Sequence, residues 1–305
     1  MVFNLLYFYT KKSNSEYSRL FLLFVFPFCA LQMALGQVGG ERFVSKTQVT
    51  YEYTFIRDST DRERVDSLEM QLLINDSLSL FASSYYLKRN SEYFKTLERG
   101  NTSATSQFLV GLINVNVSSY YILKDQETVT TIDNIYGMGM RTNKDFVKIK
   151  ENIRDFDWAV APDTRMISDF ECQKAEIFYG GRKWIAWFTT EIPISDGPYK
   201  FSGLPGLIIE LYDDQSFFNF RLSKIETLEK TVPFNFRNDM TFRDLTSEAF
   251  FKERKQYQEN IYEHTLSLEE NQKFSPREKE KMKERARAII QKNNNWIELY
   301  PGIKK

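Results

Sequence analysis

Five carboxylates that lie close together in the sequence are the residues best suited to do chemistry. They stand between residues 191 and 214. Two carboxyl groups that converge in a cleft, about 5–10 Å apart, can hydrolyse a glycosidic bond. Carboxylates beside turns more often cap the turn or face solvent, because Asp readily hydrogen-bonds nearby backbone. A carboxylate-dependent hydrolase is therefore an alternative hypothesis, built on Glu191, Asp196, Glu210, Asp213 and Asp214.

Other signatures of catalysis are missing from the sequence. It has no glycine-rich phosphate loop and no HExxH, CxxC or GxSxG motif. The single histidine, His264, is far along the chain from Cys172, so neither a zinc site nor an activated thiol is expected. We predict no catalytic residue, no metal ligand and no cofactor, and we favour a protein that is not an enzyme.

Aromatic residues are frequent, with 26 Phe, 17 Tyr and 4 Trp in 305 residues. Most of them must form core, but such a composition also favours a pocket for an apolar ligand. Trp184 and Trp187 stand three apart on a predicted strand, so they point to opposite faces, one into the core and the other toward a cavity or second layer. The candidate binding residues are these two tryptophans and residues that follow them in the sequence: Trp184, Trp187, Glu191, Asp196, Tyr199, Gly203, Leu204, Pro205 and Gly206.

The charge balance excludes one class of partner. Lys and Arg together number 41, and so do Asp and Glu. A nucleic-acid-binding protein needs basic side chains in excess to neutralise phosphates. We therefore predict no nucleic-acid partner.

The N-terminal segment has the layout of a secretory signal peptide. Leu20–Leu35 is apolar apart from Gln32, basic residues precede it, and it ends in Ala34-Leu35-Gly36. A basic start, an apolar middle and a small-x-small end are typical of cleaved signal peptides. We predict that residues 1–36 are removed and that residues 37–305 form one exported domain. Membrane contact is expected only through the N-terminal segment.

Two other interpretations of this segment stay open. As an uncleaved anchor, Leu20–Leu35 is short, because a helix needs about 20 apolar residues to span a bilayer, and Pro27 interrupts it. As a lipoprotein signal it would use Cys29, although Phe28 stands where a small residue is expected. If the segment is removed, Cys172 is the remaining cysteine, and no intrachain disulfide can form.

Beyond residue 37 the pattern is dominated by short strands joined by turns. Val44–Ile56 alternates, with Val49, Tyr51, Tyr53 and Phe55 on one face, which is typical of a half-buried strand. Successive hairpins indicate an antiparallel sheet rather than a parallel one. The predicted hairpins join Met70–Ile74 to Leu78–Phe81, Tyr120–Leu123 to Thr128–Ile132, Phe170–Tyr179 to Lys183–Thr190, and Leu207–Tyr212 to Phe217–Leu222, and Phe146–Ile149 is a further strand.

Three helices are predicted beside the strands. Ser275-Pro276-Arg277-Glu278 is a capping box with proline at the first helical position. The apolar side chains that follow it recur at helical spacing and indicate a face that packs on the sheet. Thr246–Glu263 is a second helix, and Ser84–Leu97 is a weaker third one.

A turn motif follows the second tryptophan. Leu204-Pro205-Gly206-Leu207 predicts a type II turn, in which Gly206 takes positive φ. A structural turn that feeds a core strand explains this motif without a ligand.

The same region resembles the GLPGLI family, whose signature is Gly203-Leu204-Pro205-Gly206-Leu207-Ile208. Asn294–Leu299 resembles the family's usual C-terminal NPIEL end, with Trp296 in place of proline, and Leu73–Phe81 resembles its N-terminal region. Asp163–Trp187 is similar to periplasmic lipoprotein carriers. Further matches in family order are Cys172–Ala175, Gly181-Arg182, Ala186–Thr189, Glu191–Ile194 and Gly197–Phe201.

The resemblance implies an exported Bacteroidetes protein of a family without an established activity, and it supplies no catalytic residues. It implies a mainly β (α+β) fold: a strongly curved, open antiparallel sheet, or half-barrel, with a few packed helices including an amphipathic C-terminal one. We favour a non-enzymatic periplasmic or outer-membrane-associated protein that binds an apolar ligand, a lipid or a partner polypeptide. A structural component of envelope machinery is a further alternative.

Overall fold

Strands make up most of the molecule. The computed structural model describes residues 42–98, 120–134, 146–233, 242–263 and 274–300, and all of these except Arg42 belong to one compact unit. Within them the strands are β1 (Arg42–Phe55), β2 (Asp66–Ile74), β3 (Ser79–Ser83), β4 (Tyr121–Lys124), β5 (Thr128–Asn134), β6 (Phe146–Asn152), β7 (Ala159–Ile167), β8 (Phe170–Tyr179), β9 (Arg182–Thr189), β10 (Leu207–Asp213), β11 (Phe218–Pro233) and β12 (Phe242–Asp244). The long helices are α1 (Ser84–Glu98), α2 (Ser247–Glu259) and α3 (Pro276–Lys292), and Ile153–Asp155 forms a 3-10 turn.

All twelve of these strands form one open sheet, in the order β12-β6-β5-β4-β3-β2-β1-β11-β10-β9-β8-β7. The predicted mainly β fold with an open sheet and few helices is confirmed. Hairpin neighbours pair antiparallel, whereas β12 pairs parallel with β6, so the sheet is mixed. The hydroxyl of Ser223 on β11 donates a hydrogen bond to the carbonyl of Thr50 on β1. This bond links the N-terminal and C-terminal halves of the chain.

Turn chemistry explains the predicted hairpins. Gly180 and Gly181 both have positive φ, +57° and +73°, as a two-residue turn between β8 and β9 requires. Asn75 turns β2 into β3, because its side-chain oxygen accepts bonds from the backbone N–H groups of Ser77 and Leu78. Asp213 turns β10 into β11 in the same way, because its side-chain oxygen accepts a bond from the backbone N–H of Phe217. Strand β11 continues well beyond Leu222, where its end was predicted.

The main core is rich in aromatic rings. Trp184 is fully buried and packs against Phe201 and Phe218. Tyr53 stacks on Phe220 with ring centroids 4.1 Å apart. Aromatic packing of this kind adds to the free energy of ordinary apolar burial. Many of the aromatic residues noted in the sequence thus belong to the core.

The predicted helices are present. Ser275 and Glu278 form the capping box at the start of α3, with Pro276 at its first position. Ala286, on the predicted apolar stripe of α3, is buried. Phe250 and Phe251 on α2 pack with β6 in a second, smaller core.

Two strands were not predicted. β7 is exposed along most of its length and contains Pro162, so it lacks the alternation that marks a half-buried strand. β12 has only three residues. The predicted signal peptide, residues 1–36, lies outside the described residues. Among the helices that are described, none combines the length and the apolar character that crossing a membrane needs.

Candidate functional site

The GLPGLI string connects β9 to β10, and Gly206 is its tightest point. A Cβ on Gly206 would lie 1.9 Å from the carbonyl oxygen of Thr189, so no larger residue fits without a backbone shift. The predicted type II turn with positive φ at Gly206 is wrong, because positive φ occurs at Gly203 instead, at +91°. Glycine is needed at position 206 for close backbone approach and at position 203 for its φ angle. The motif is thus a packed connection.

A buried charge cluster lies directly before this string. The ammonium of Lys200 is 2.6 Å from a carboxylate oxygen of Glu298 and 2.7 Å from one of Glu151. The hydroxyl groups of Tyr199 and Tyr300 both donate to Glu298. Lys200 and Glu298 are essentially inaccessible to solvent. Each buried charge is therefore paired and hydrogen-bonded, as a low-dielectric interior requires.

The pKa directions follow from this pairing. Burial alone would lower the pKa of Lys200, but the neighbouring carboxylates of Glu298 and Glu151 outweigh it and raise that pKa. Burial, with the negative charge of Glu298 added, raises the pKa of Tyr199 and of Tyr179 well above the usual value. At neutral pH the cluster holds a charged lysine and neutral phenols.

The C-terminal segment supplies Glu298 and Tyr300 to this cluster and is held at several points. The guanidinium of Arg182 donates to the side chain of Asn295 at 2.6 Å and to the carbonyl of Trp296 at 2.5 Å, and it pairs with the buried Asp213 at 3.0 Å. A Cβ on Gly181 would lie 1.8 Å from the carbonyl oxygen of Leu299. The β8–β9 turn therefore needs glycine partly because the C-terminal segment packs on it.

A second buried pair fixes the start of the motif region. Lys124 on β4 lies 2.5 Å from Asp196 and also donates to the carbonyl of Gly197 at 2.6 Å. Asp196 in turn accepts a bond from the backbone N–H of Gly197. This pair joins β4 to the β9–β10 connection, so Asp196 acts in the structure of that connection.

Trp187 lies on the opposite face of the sheet from Trp184, as its spacing predicted. The guanidinium of Arg165 stacks over the Trp187 ring at 4.1 Å and pairs with Glu210. The Trp187 indole N–H donates to the Tyr212 hydroxyl at 3.4 Å. A side chain from the sheet itself thus covers the Trp187 ring.

The five carboxylates do not share one cleft. Asp196 and Asp213 are buried in separate ion pairs with Lys124 and Arg182. Glu210 pairs with Arg165. The remaining two sit at the surface: Glu191 accepts the backbone N–H of Glu171, and Asp214 lies in the β10–β11 turn.

The other predicted site residues also divide between core and surface. Tyr199, Leu204 and Gly206 are buried, whereas Gly203 and Pro205 are exposed. Sequence reasoning missed Lys200, Glu298 and Arg182. All three stand inside segments that carried the family resemblance, and a charged residue in an otherwise apolar motif is the signal that marks a buried pair.

Two accessible surfaces stand out among the residues that the structure describes. The first is the β7 edge, defined here as β7 itself, where Val160 and Met166 are 49% and 64% exposed. The second is a charged cleft beside α3, between that helix and the loop that joins β1 to β2. In the part of the chain that the structure describes, no group of three or more His, Cys, Asp or Glu side chains could hold a metal ion.

Comparison with known proteins gives a short family match. A family model described as "Protein of unknown function (Porph_ging)" matches residues 180–210, which span the β8–β9 turn and the GLPGLI string. No curated protein matches.

Two solved structures of PNGF-II, in space groups P21 and C2, are similar to the chain, each with 10% identity and a TM-score of 0.45. The alignments cover 70% of this chain but 33% of PNGF-II, so the chain spans about a third of the length of the structures it matches.

Proposed function

We propose that this chain is an exported, non-enzymatic protein of the GLPGLI type that binds an extended segment of a partner polypeptide along its β7 edge. The observation that carries the proposal is the exposure of β7, a nine-residue strand at one end of the sheet. An edge strand presents unpaired N–H and C=O groups that can pair with an added strand.

The two ends of the sheet are unequal. At the other end, β12 has three residues and joins a parallel pairing, so it offers little backbone for recognition. At the β7 end, Val160 and Met166 lie exposed on the edge strand itself. Large exposed apolar side chains next to free backbone groups favour a polypeptide partner. A lipid-binding groove would be lined by aromatic rings. In this protein those rings instead pack against each other in the core.

The β7 edge also carries features that oppose indiscriminate pairing. Pro162 lacks an N–H group, and the register with β8 shifts between Val160 and Thr164. Charged side chains at Asp163 and Arg165 stand within the same strand. Such features prevent unwanted sheet extension, so recognition is expected to use the regular part of β7 that follows Asp163.

The family and the location are parts of the same proposal. The family-model match over residues 180–210 includes most of the motif region on which the GLPGLI resemblance rests. The similarity of Asp163–Trp187 to periplasmic lipoprotein carriers and the signal-peptide layout of residues 1–36 support a periplasmic or outer-membrane-associated protein. The intact mass of the protein purified from its native cell is expected to be that of a chain beginning at Gln37. A protein that keeps residues 1–36 would contradict cleavage.

A photo-crosslinking residue placed at Met166 in the native cell tests the partner. The expected adduct contains one envelope protein, joined through a single extended segment that mass spectrometry identifies. The same residue at Val65, which is 56% exposed in the β1–β2 loop, is the matched control and is expected to give no such adduct. Met166→Asp should abolish co-purification. Equal adducts at both positions, an adduct of twice the chain's own mass, or none would overturn the proposal.

A further inference from the structure

The charged cleft beside α3 has the size of a small-molecule site. Its volume is about 450 Å³, and the loop from Arg57 to Asp66 and the last turns of α3 line it. Pockets that bind small ligands usually measure about 300–1,000 Å³. The cleft is therefore large enough for a ligand, and its chemistry is that of charged side chains.

Hydrogen-bond acceptors in the cleft are mostly engaged. Asp66 accepts a bond from Arg57 at 2.8 Å. Asp58 accepts bonds from the hydroxyl and backbone N–H of Thr60 and from the side chain of Asn294, and these bonds lower its pKa. Asp61 is the acidic lining residue that has no such side-chain bond among the described contacts.

Donors in the cleft, by contrast, are in excess. Arg64, Arg285 and Lys292 line it, and within the described ranges none of them has a carboxylate at ion-pairing distance. Two guanidinium groups and one ammonium group thus line the cleft without a direct ion pair, although the carboxylate of Asp58 attracts Arg64 and that of Asp61 lies in the same cleft. An anion with several oxygens would supply these donors with the direct hydrogen-bond acceptors that the carboxylates of the cleft do not provide.

The helix geometry makes room for such an anion. Arg285, Ala288 and Lys292 follow each other at helical spacing, so they share one face of α3. Ala288 is the small residue between two cations. Arg64 reaches the cleft from the β1–β2 loop. Attraction to the helix C-terminus accounts for Lys292 in the last turn, but it explains neither Arg285, two turns earlier, nor Arg64.

We propose that this cleft binds a small polyvalent oxyanion, a phosphate ester or vicinal carboxylates, through Arg64, Arg285 and Lys292. Guanidinium forks bind such groups in a bidentate manner. The site is independent of the β7 edge. A free solute and the headgroup of an anionic lipid share this chemistry, and the experiment distinguishes these two sources.

The test is calorimetric titration of the full chain with pyrophosphate, together with sedimentation on vesicles that contain phosphatidic acid, whose headgroup is a phosphate monoester. Wild-type protein is expected to bind pyrophosphate, and Arg64→Gln and Arg285→Gln are each expected to weaken binding at least tenfold. Arg287→Gln is the matched control, since Arg287 is exposed on the same helix but does not line the cleft. It should change the affinity less than twofold. Thermal unfolding shows whether the variants remain folded.

The possible results distinguish a free solute from a lipid headgroup. Pyrophosphate binding that depends on Arg64 and Arg285 supports a free solute. Vesicle binding with the same dependence, without pyrophosphate binding, supports a lipid headgroup. Equal loss in Arg287→Gln would show diffuse attraction to the helix surface and overturn the proposal. Absence of binding to either probe in the wild-type protein would overturn it as well.

Discussion

Lys200 and Glu298 form an ion pair of 2.6 Å in the interior, although one precedes the GLPGLI string and the other stands near the C-terminus. Both side chains are almost fully buried. Charge pairs that are shielded in this way are costly to break, because the partner left behind keeps its charge without solvation. The C-terminal segment is thereby part of the core.

Glu298→Gln should lower the free energy of unfolding by about 3–5 kcal/mol, as expected when one partner of a buried ion pair is removed. Urea unfolding at pH 7 measures it. Glu280→Gln, at an exposed site on α3, is the matched control and should change stability by less than about 0.5 kcal/mol. A similar loss of unfolding free energy in both variants would mean that the buried ion pair contributes no more to stability than an exposed carboxylate.

Alkaline pH should unfold the protein cooperatively. The folded-state pKa values of Tyr199 and Tyr179 are raised, chiefly by burial. A tyrosine whose pKa is raised in the folded state stabilises that state in full at pH values below the unfolded-state pKa of about 10. This stabilisation is lost as the pH rises through the folded-state pKa. Absorbance at 295 nm should therefore show tyrosine ionisation in step with loss of circular dichroism above that pH.

Tyr199→Phe gives the control for this titration. It removes one phenol that must stay neutral, so stability should fall less steeply with pH in the alkaline range. A wild-type protein whose tyrosines all ionise freely near pH 10 while it remains folded would contradict the burial of these groups.

Two alanine substitutions within the GLPGLI string should differ in cost. Gly206→Ala places a Cβ 1.9 Å from a backbone oxygen, and overpacking of this kind costs about 3 kcal/mol. At Gly203 the nearest neighbouring atom is 3.7 Å from the added Cβ, so Gly203→Ala strains only the φ angle, at about 1–2 kcal/mol. Thermal unfolding of the two variants compares them. A larger loss for Gly203→Ala would refute the assignment of close approach to position 206.

Cys172 should be inert while the protein is folded. Burial, as the main cause, raises the pKa of this thiol to about 11. Thiol reagents attack through the thiolate, which is about a thousandth of such a thiol at pH 8. In a Cys29→Ser background, reaction with dithionitrobenzoate should proceed only after urea is added. Fast reaction of the native protein would show that the thiol is accessible and activated.

Local features of the fold were readable from residue types. Gly180-Gly181 predicted the β8–β9 hairpin because only such residues readily take positive φ at two successive positions. Ser275 and Glu278 predicted the start of α3 because a capping box involves residues three apart. The opposite faces of Trp184 and Trp187 followed from strand geometry alone. The β7 edge was missed, since a strand exposed on both faces needs no apolar alternation.

By itself, then, the sequence determined the mainly β class, most hairpins and the helix starts, because each of these depends on neighbouring residues. Only the tertiary structure decided which distant charges meet, such as Lys200 with Glu298 and Lys124 with Asp196. It also decided why Gly206 must be glycine, since the obstructing oxygen belongs to the preceding strand. These relationships depend on how strands are ordered across the sheet, and no local pattern in the chain encodes that order.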